Sequence, residues 1–355
     1  MTSTTSQDTA AKFADRLLGA TLGLIDVLAV YLGDRLGWYR ALASGGPATP
    51  AELVARAGGS ERYAREWLEQ QAGSGILTLA RDGRFALPPG ATEVLTDPES
   101  LSYLAPLARM LGAAAVQLPA LLDAYRTGGG VGWAEFGVDM RESQADMNRP
   151  WFLHQLAGVL AGVPDLDAVL RQPTARIADI GCGAGWSSIA LARAYPESSV
   201  EGWDVDAPSI ELARANTLAA GLTGRLSFSS ADASDLGESS YDALFAFECV
   251  HDMPRPVEVL AAMRRALRPG GIVVVMDEAV PDAFAPPGDD LEKLMYGFSL
   301  FVCLPDGMSS QPSAGTGTVM RVGTLRAYAR EAGFSDVEVL PTEEFGIWRF
   351  YRLLP

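Results

Sequence analysis

Apolar positions recur along this chain in two rhythms, and the change from one to the other divides it. From Phe13 to Leu32 the apolar residues fall at helical spacing, which predicts a long amphipathic helix, with a second over Gly33–Ala43. Pro47–Pro50 leads into a helix over Ala51–Ala57 with Thr49 as its N-cap. Ser60 caps the next, Glu61–Ala72, where Tyr63, Trp67, Leu68 and Gln71 trace one side. Ile76–Leu79 and Arg84–Leu87 flank an Asp82-Gly83 turn and predict a short hairpin. The first ten residues, rich in Ser and Thr, read as a loose tail.

Residues 98–172 are mostly helical in pattern. Tyr103–Tyr125 is apolar with few charges, Thr127–Gly130 breaks it, and Met140–Leu160 is helical with Pro150 marking a kink or a fresh start. After residue 173 the rhythm changes to short apolar runs separated by helical stretches. Ile177–Ile180, Val200–Asp206, a run ending at Phe228–Asp232, Tyr241–Phe247 and Gly271–Asp277 read as five strands of a parallel sheet. Arg255–Leu267 links the last two as a helix that stops at Arg268–Gly271. The alternation then breaks over residues 281–320, which hold a proline-rich loop, an apolar helix over Leu291–Leu304 and a flexible Ser/Gly/Pro stretch. Thr324–Glu331 is a helix, and Val337–Leu340 and Trp348–Leu354 are strands that complete the sheet. Three regions result: 1–97, a helical connector over 98–172, and an α/β domain over 173–355.

Composition narrows the class. The 355 residues are 48% apolar and 20% charged, in the range of a globular chain large enough for several cores. The net charge of −16 argues against a phosphate-backbone partner, which needs clustered cations. Helix, turn, helix and hairpin make a winged helix of residues 1–97. Yet residues 1–100 carry nine Lys/Arg against twelve Asp/Glu, and the would-be recognition helix holds Glu61, Glu66 and Glu69 beside Arg62 and Arg65. A helix built for the major groove shows a cationic face, so no nucleic-acid partner is expected. The apolar face of Leu17–Leu32 suits a second subunit, giving a homodimer; packing within its own domain is the alternative. That run is 16 residues long and interrupted by Asp26, which argues against a membrane span. Cys182, Cys249 and Cys303 lie far apart with no metal-type spacing, as reduced thiols of a cytoplasmic protein do.

The candidate chemistry gathers where strands end. Asp179 precedes Gly181-Cys182-Gly183-Ala184-Gly185, a glycine turn between strand and helix. The spacing is G-x-G-x-G, with Trp186 where a dinucleotide fingerprint needs its last glycine. A carboxylate at Asp179 would repel a pyrophosphate and welcome a cationic ligand. Asp204 closes the second strand, where a carboxylate can accept two hydrogen bonds from a ribose diol. Asp232 closes the third and suits an adenine amino group.

In these motifs, DIGCGAG, GWDVD, ADA, YDALFAFECVHDM and LRPGGIVVVMDE, the chain resembles the class I S-adenosylmethionine-dependent methyltransferases, from about Ala175 to its C-terminus. The N-terminal region resembles the winged helix fused to bacterial natural-product and plant-type small-molecule O-methyltransferases, which serves dimerisation. The resemblance implies a Rossmann-like sheet of seven strands, the last antiparallel, and S-adenosyl-L-methionine as cofactor with S-adenosyl-L-homocysteine as product. It further implies that Gly181, Gly183 and Gly185 line the methionine end, that Asp204 and Val205 hold the ribose, and that Asp232 and Ala233 frame the adenine, with Phe247 closing the fourth strand beside them.

The two histidines differ. His251, in Glu248–Met253 after the fourth strand, sits at the carboxyl edge where open α/β sheets place ligands, and imidazole suits removal of a proton from a phenol or enol. VHDM resembles the family's LHDW segment, which makes His251 the general base and Asp277 its first orienting acid. Thr318 falls where the second acid would be, and Met253 replaces the tryptophan. A positioning or a structural role for His251 is the alternative. His154, beside Phe152 and Leu156, reads as a packed histidine or as an acceptor contact. Met295, Phe298 and Met308 give the insertion an apolar lining, either an acceptor wall or ordinary packing. The expected function is methyl transfer to a small hydroxylated acceptor. C- or N-methylation, a cyclisation or rearrangement that uses only the cofactor's charge, and a cofactor-sensing regulator stand as alternatives.

Overall fold

The computed structural model describes residues 2–342 and 345–355, with side chains from Thr9 onward. Two compact units result, Met1–Gly112 and Ala113–Pro355. The division falls inside the helix Ala105–Val116, within the stretch that the sequence pattern assigns to a connector.

In the first unit one helix runs from Thr2 to Arg35 and a second from Trp38 to Gly45. The expected break at Gly33 is absent, and so is a loose tail over the described residues. Gly33 is there for packing: a Cβ on it would lie 2.3 Å from the Trp67 ring and 2.6 Å from Tyr39. The break comes instead at Gly37, which adopts φ 69°. Thr49 caps the helix Pro50–Ala57 in a reciprocal box with Glu52. Ser60 precedes the helix Glu61–Gly73 without a side-chain capping bond. The hairpin strands β1 (Thr78–Leu79) and β2 (Phe85–Ala86) close the wing, and Ala48 bridges to Phe85. Trp38, Tyr39, Leu42, Leu53, Leu68 and Phe85 form the core.

The long helix meets this core on one side only. Trp67 Nε1 donates to the Ala29 carbonyl, and Asp26 accepts from Gln70 and Ser74, which explains an acid in an apolar run. Its other side leaves Phe13, Leu17, Leu18 and Leu22 more than half exposed. The helix over residues 9–35, longer than the apolar run Leu17–Leu32 within it, is long and apolar enough to cross a membrane by length and composition.

The second unit is organised by seven strands. β3 (Arg176–Ile180), β4 (Ser199–Asp204), β5 (Leu226–Ser230), β6 (Tyr241–Phe247), β7 (Leu267–Glu278), β8 (Asp336–Val339) and β9 (Trp348–Leu354) lie in the order β5-β4-β3-β6-β7-β9-β8. β3 to β7 are parallel, and β9 runs antiparallel to both β7 and β8, as expected for the last strand. Both faces are covered, so these strands read as near-continuous apolar runs. Ile177, Phe245, Val274 and Phe350 point to one face, under the helix Trp186–Ala194. Ala178, Leu244, Val275 and Tyr351 point to the other, under Pro256–Ala266 and Val322–Glu331. The order reverses at β3, where β4 and β6 depart to either side. By the general rule for α/β sheets, ligands bind in the crevice above the carboxyl ends at that switch point.

The helix Gly137–Trp151 passes Pro150 and continues into a wider π turn, Phe152–Leu156. In the insertion the predicted single helix is three pieces: Asp290–Phe298, a π turn over Ser299–Cys303, and Leu304–Met308.

Candidate active site

Backbone conformation builds the first wall of the crevice. Gly181, Gly183 and Gly185 take φ 70°, 50° and 79°, a region that residues with a Cβ adopt only under strain. Contacts add a second demand: a Cβ on Gly181 would stand 2.7 Å from Cys249 Sγ, and one on Gly185 2.8 Å from the Phe228 ring. A Cβ on Gly183 meets nothing within 4 Å, so the middle of the turn faces open space where a ligand can touch backbone.

Asp204 and Asp179 fix this turn from two sides. Asp204 Oδ2 accepts from Gly183 N at 2.8 Å and Oδ1 from Asp206 N at 2.8 Å. Burial raises the Asp204 pKa against those two bonds. Asp179 is fully buried; its Oδ2 accepts from Ser187 Oγ at 2.6 Å and Ser188 Oγ at 2.5 Å. Its Oδ1 has no hydrogen-bond partner, and burial pushes the carboxyl up to about 6. Val205 is exposed. Asp232 is exposed and accepts from Ser234 N at 2.8 Å, its pKa lowered chiefly by that backbone bond, while Ala233 beside it is buried. Phe247 stacks on Phe245 and leans on Phe152 under the crevice floor.

A helix from the connector spans the same edge. On Gly137–Trp151, Arg141 grips Asp206 through two bonds of 2.6 and 3.1 Å. Asn148 and Gln144 donate to Glu248 Oε2 at 2.6 and 3.2 Å, and Arg149 lies 4.6 Å over the Trp186 ring. Glu248 sits at φ 53°, rare for a residue with a side chain, directly after β6.

His251 lies three residues further on, 3% exposed. Its Nδ1 is 3.0 Å from Asp277 Oδ1 and 3.3 Å from Glu278 Oε2. The Cys303 side chain lies beside the ring. Burial alone would lower the His251 pKa; the Glu278 and Asp277 carboxylates and the bond to Asp277 hold it well above the usual imidazole range. Asp277 Oδ2 and Glu278 Oε2 are buried without a hydrogen-bond donor. The sequence reading placed Asp277 here and left the second acid unfilled, with Thr318 in its place. Glu278 stands beside the ring instead. Strand alternation hides it, because neighbours on β7 should face opposite ways; at the strand's end the longer glutamate side chain reaches the same nitrogen. Glu248 and Gln144 carry no role in the sequence pattern, where the adjacency of Glu248 to the His251 segment is the one signal.

Of the acceptor candidates, Met295 is buried, and Phe298 and Met308 are half-buried on the same insertion as Cys303. His154 is exposed on the π turn, outside the His251 cluster.

Comparison with known proteins agrees with this arrangement. Residues 177–271 match a family described as "Methyltransferase domain", and residues 24–97 match an "Rv2258c-like winged HTH domain". The methyltransferase GfsG of Streptomyces halstedii is 36% identical over 107 residues, 30% of this chain and 38% of that protein. The chain spans about half or less of the length of such curated relatives. The structure of the mitomycin 7-O-methyltransferase MmcR shares the fold with TM-score 0.73 over 99% of both chains at 22% identity. Human N-acetylserotonin methyltransferase, solved in complex with SAM, shares it at TM-score 0.71 over 96% of this chain and 97% of that one, at 18% identity. The matched segments identify a chain that carries a methyltransferase domain behind an N-terminal winged helix-turn-helix domain, and the sheet order and the solved structures agree in fold.

Proposed function

We propose that this protein transfers a methyl group from S-adenosyl-L-methionine to a hydroxyl of a small aromatic or polyketide-like acceptor, leaving S-adenosyl-L-homocysteine. The observation that carries the reading is the carboxylate rim of the crevice. Asp179 keeps one buried oxygen without a donor, Asp204 orders the glycine turn, and Gly183 leaves open space beside them. Such a rim disfavours a phosphate and favours a cationic ligand with hydroxyls to donate. Asp204 would take the ribose diol with Val205 beside it, Asp232 and Ala233 the adenine, and Gly181, Gly183, Gly185 and Asp179 the methionine end, over the floor made by Phe247.

The cofactor supplies a methyl group already activated on a sulfonium. What remains for the chain is to align the acceptor and take its proton. With Nδ1 turned to Asp277 and Glu278, the other nitrogen of His251 is the one that can accept that proton when the ring is neutral, and the carboxylates that raise its pKa make it a stronger base. Asp277 and Glu278 act through the ring as positioning residues. Met295, Phe298 and Met308 form an apolar wall for a flat acceptor, while His154, exposed, takes no part. The O-methylating names among structural neighbours support oxygen as the acceptor atom. Incubation of the protein with methyl-labelled S-adenosylmethionine and extracts of its own host is expected to label a small molecule at an oxygen; label found in no product, or on carbon or nitrogen, overturns this reading.

The exposed apolar face of the Thr2–Arg35 helix is proposed to meet a second copy of the chain. Leu17, Leu18 and Leu22 lie on it, more than half exposed, while the opposite side is spent on the winged-helix core. Light scattering is expected to give twice the 37.7 kDa chain mass. The double substitution Leu18→Glu and Leu22→Glu should return the monomer; a wild-type monomer at micromolar concentration would remove the proposal.

A further inference from the structure

We propose that His251, Asp277 and Glu278 form a binding site for a zinc-class divalent cation, whose occupancy takes the ring out of use as a base. The three ligand atoms, His251 Nδ1 and one oxygen of each carboxylate, lie within 4.8 Å of one another, and all three residues are buried. Two of the separations are 3.0 and 3.3 Å. Ligands at about 2.0–2.2 Å from a tetrahedral zinc stand roughly 3.3 Å apart, so small side-chain movements suffice.

Charge gives the second, independent argument. A single Nδ1 hydrogen faces two carboxylates, and it cannot satisfy both. Asp277 Oδ2 and Glu278 Oε2 are left buried with no donor, in side chains 0% and 2% exposed. Among the described residues no lysine or arginine is paired with either one. Two buried carboxyl groups share one imidazole, so at most one of them finds positive charge there. A dication supplies it. One imidazole and two carboxylates, with the Cys303 thiol beside the ring, suit zinc or cobalt better than magnesium or calcium, which prefer oxygen alone.

The consequence for the ring follows from counting hydrogens. The metal takes the Nδ1 lone pair, and the hydrogen that Nδ1 held passes through solvent to Nε2. The imidazole stays neutral, with its one hydrogen on Nε2. That nitrogen then has no lone pair to offer an acceptor. Cation binding itself stands on the geometry; its effect on methyl transfer rests on the function proposed above.

The chain has two histidines, which makes the test direct. With ¹⁵N-labelled histidine in the full-length protein, two imidazoles are observed, and the exposed His154 is assigned by His154→Gln. Addition of one equivalent of Zn²⁺ is expected to shift the His251 Nδ1 resonance to a metal-bound position and abolish its Nδ1–H, with His154 unmoved. Glu278→Gln should weaken that response at least tenfold, and a retained cofactor-binding heat verifies that the variant is folded. Wild-type His251 resonances unchanged at several equivalents of zinc, or a response confined to His154, overturn the proposal. Because the spectrum needs no turnover, it stands or falls apart from the methyl-transfer reading.

Discussion

Replacing His251 by alanine is expected to lower methyl transfer by about 10²–10⁴-fold while the affinity for S-adenosylmethionine changes by no more than a factor of a few. The separation of the two effects follows from geometry. His251 touches Asp277, Glu278 and Cys303 and none of the groups that build the glycine turn, whose order depends on Asp204 and on the serines that hold Asp179. Loss of the imidazole therefore removes the proton acceptor and leaves the cofactor wall standing. It also strands two buried carboxylates, which lose the imidazole as their short-range partner. Some loss of stability should accompany the loss of turnover. Label transfer from methyl-labelled cofactor measures the first, and thermal unfolding the second. Turnover within fivefold of wild type in His251→Ala would return the residue to a structural role.

Asp204→Ala is expected to weaken cofactor binding by about 10²-fold or more. A carboxylate accepting hydrogen bonds contributes about 1.5–3 kcal/mol for each, and here the same group orders Gly183 and, in the proposed site, would meet the ribose. Its removal frees the Gly183 N–H as well as taking away the ligand's partner. Titration calorimetry with S-adenosylmethionine reads this directly, and a dissociation constant within threefold of wild type would remove Asp204 from the site. The same experiment has a pH dependence with a definite sign. The Asp179 carboxyl is raised to about 6, so it is ionised above that pH and neutral below it. Its attraction for a cation is present above pH 6 and is lost as the pH falls through 6 toward the ordinary carboxyl range. Affinity for S-adenosylmethionine should therefore drop between pH 7.5 and 5. That for S-adenosylhomocysteine, which lacks the sulfonium charge, should drop less. Equal losses for the two ligands would show that Asp179 does not feel the sulfonium.

The glycine turn and the strand-end acids of the candidate site were largely legible in the sequence, and the surroundings of His251 only in part. Gly181, Gly183 and Gly185 announce themselves because positive φ demands glycine whatever the surroundings. Asp204 is readable because a strand end is a local event. Around His251 the partners come from far along the chain: Asp277 lies 26 residues away, and Gln144 and Asn148 reach Glu248 across 104 and 100 residues. Periodicity carries no record of such meetings. Gly33 teaches the same lesson in the first unit. It reads as a helix boundary, yet the helix continues through it because Tyr39 and Trp67 need the space.

By itself the sequence determined the order of strands and helices, the glycine turn, the winged-helix pattern and the acid at each strand end, since each depends on residues within one or two turns of chain. Tertiary structure alone decided that Glu278 joins Asp277 on one ring nitrogen, that Cys303 lies against the same ring, and that Glu248 is held by a helix a hundred residues upstream. These are contacts between strand ends and insertions, and only the close packing of the folded sheet sets which side chains meet there.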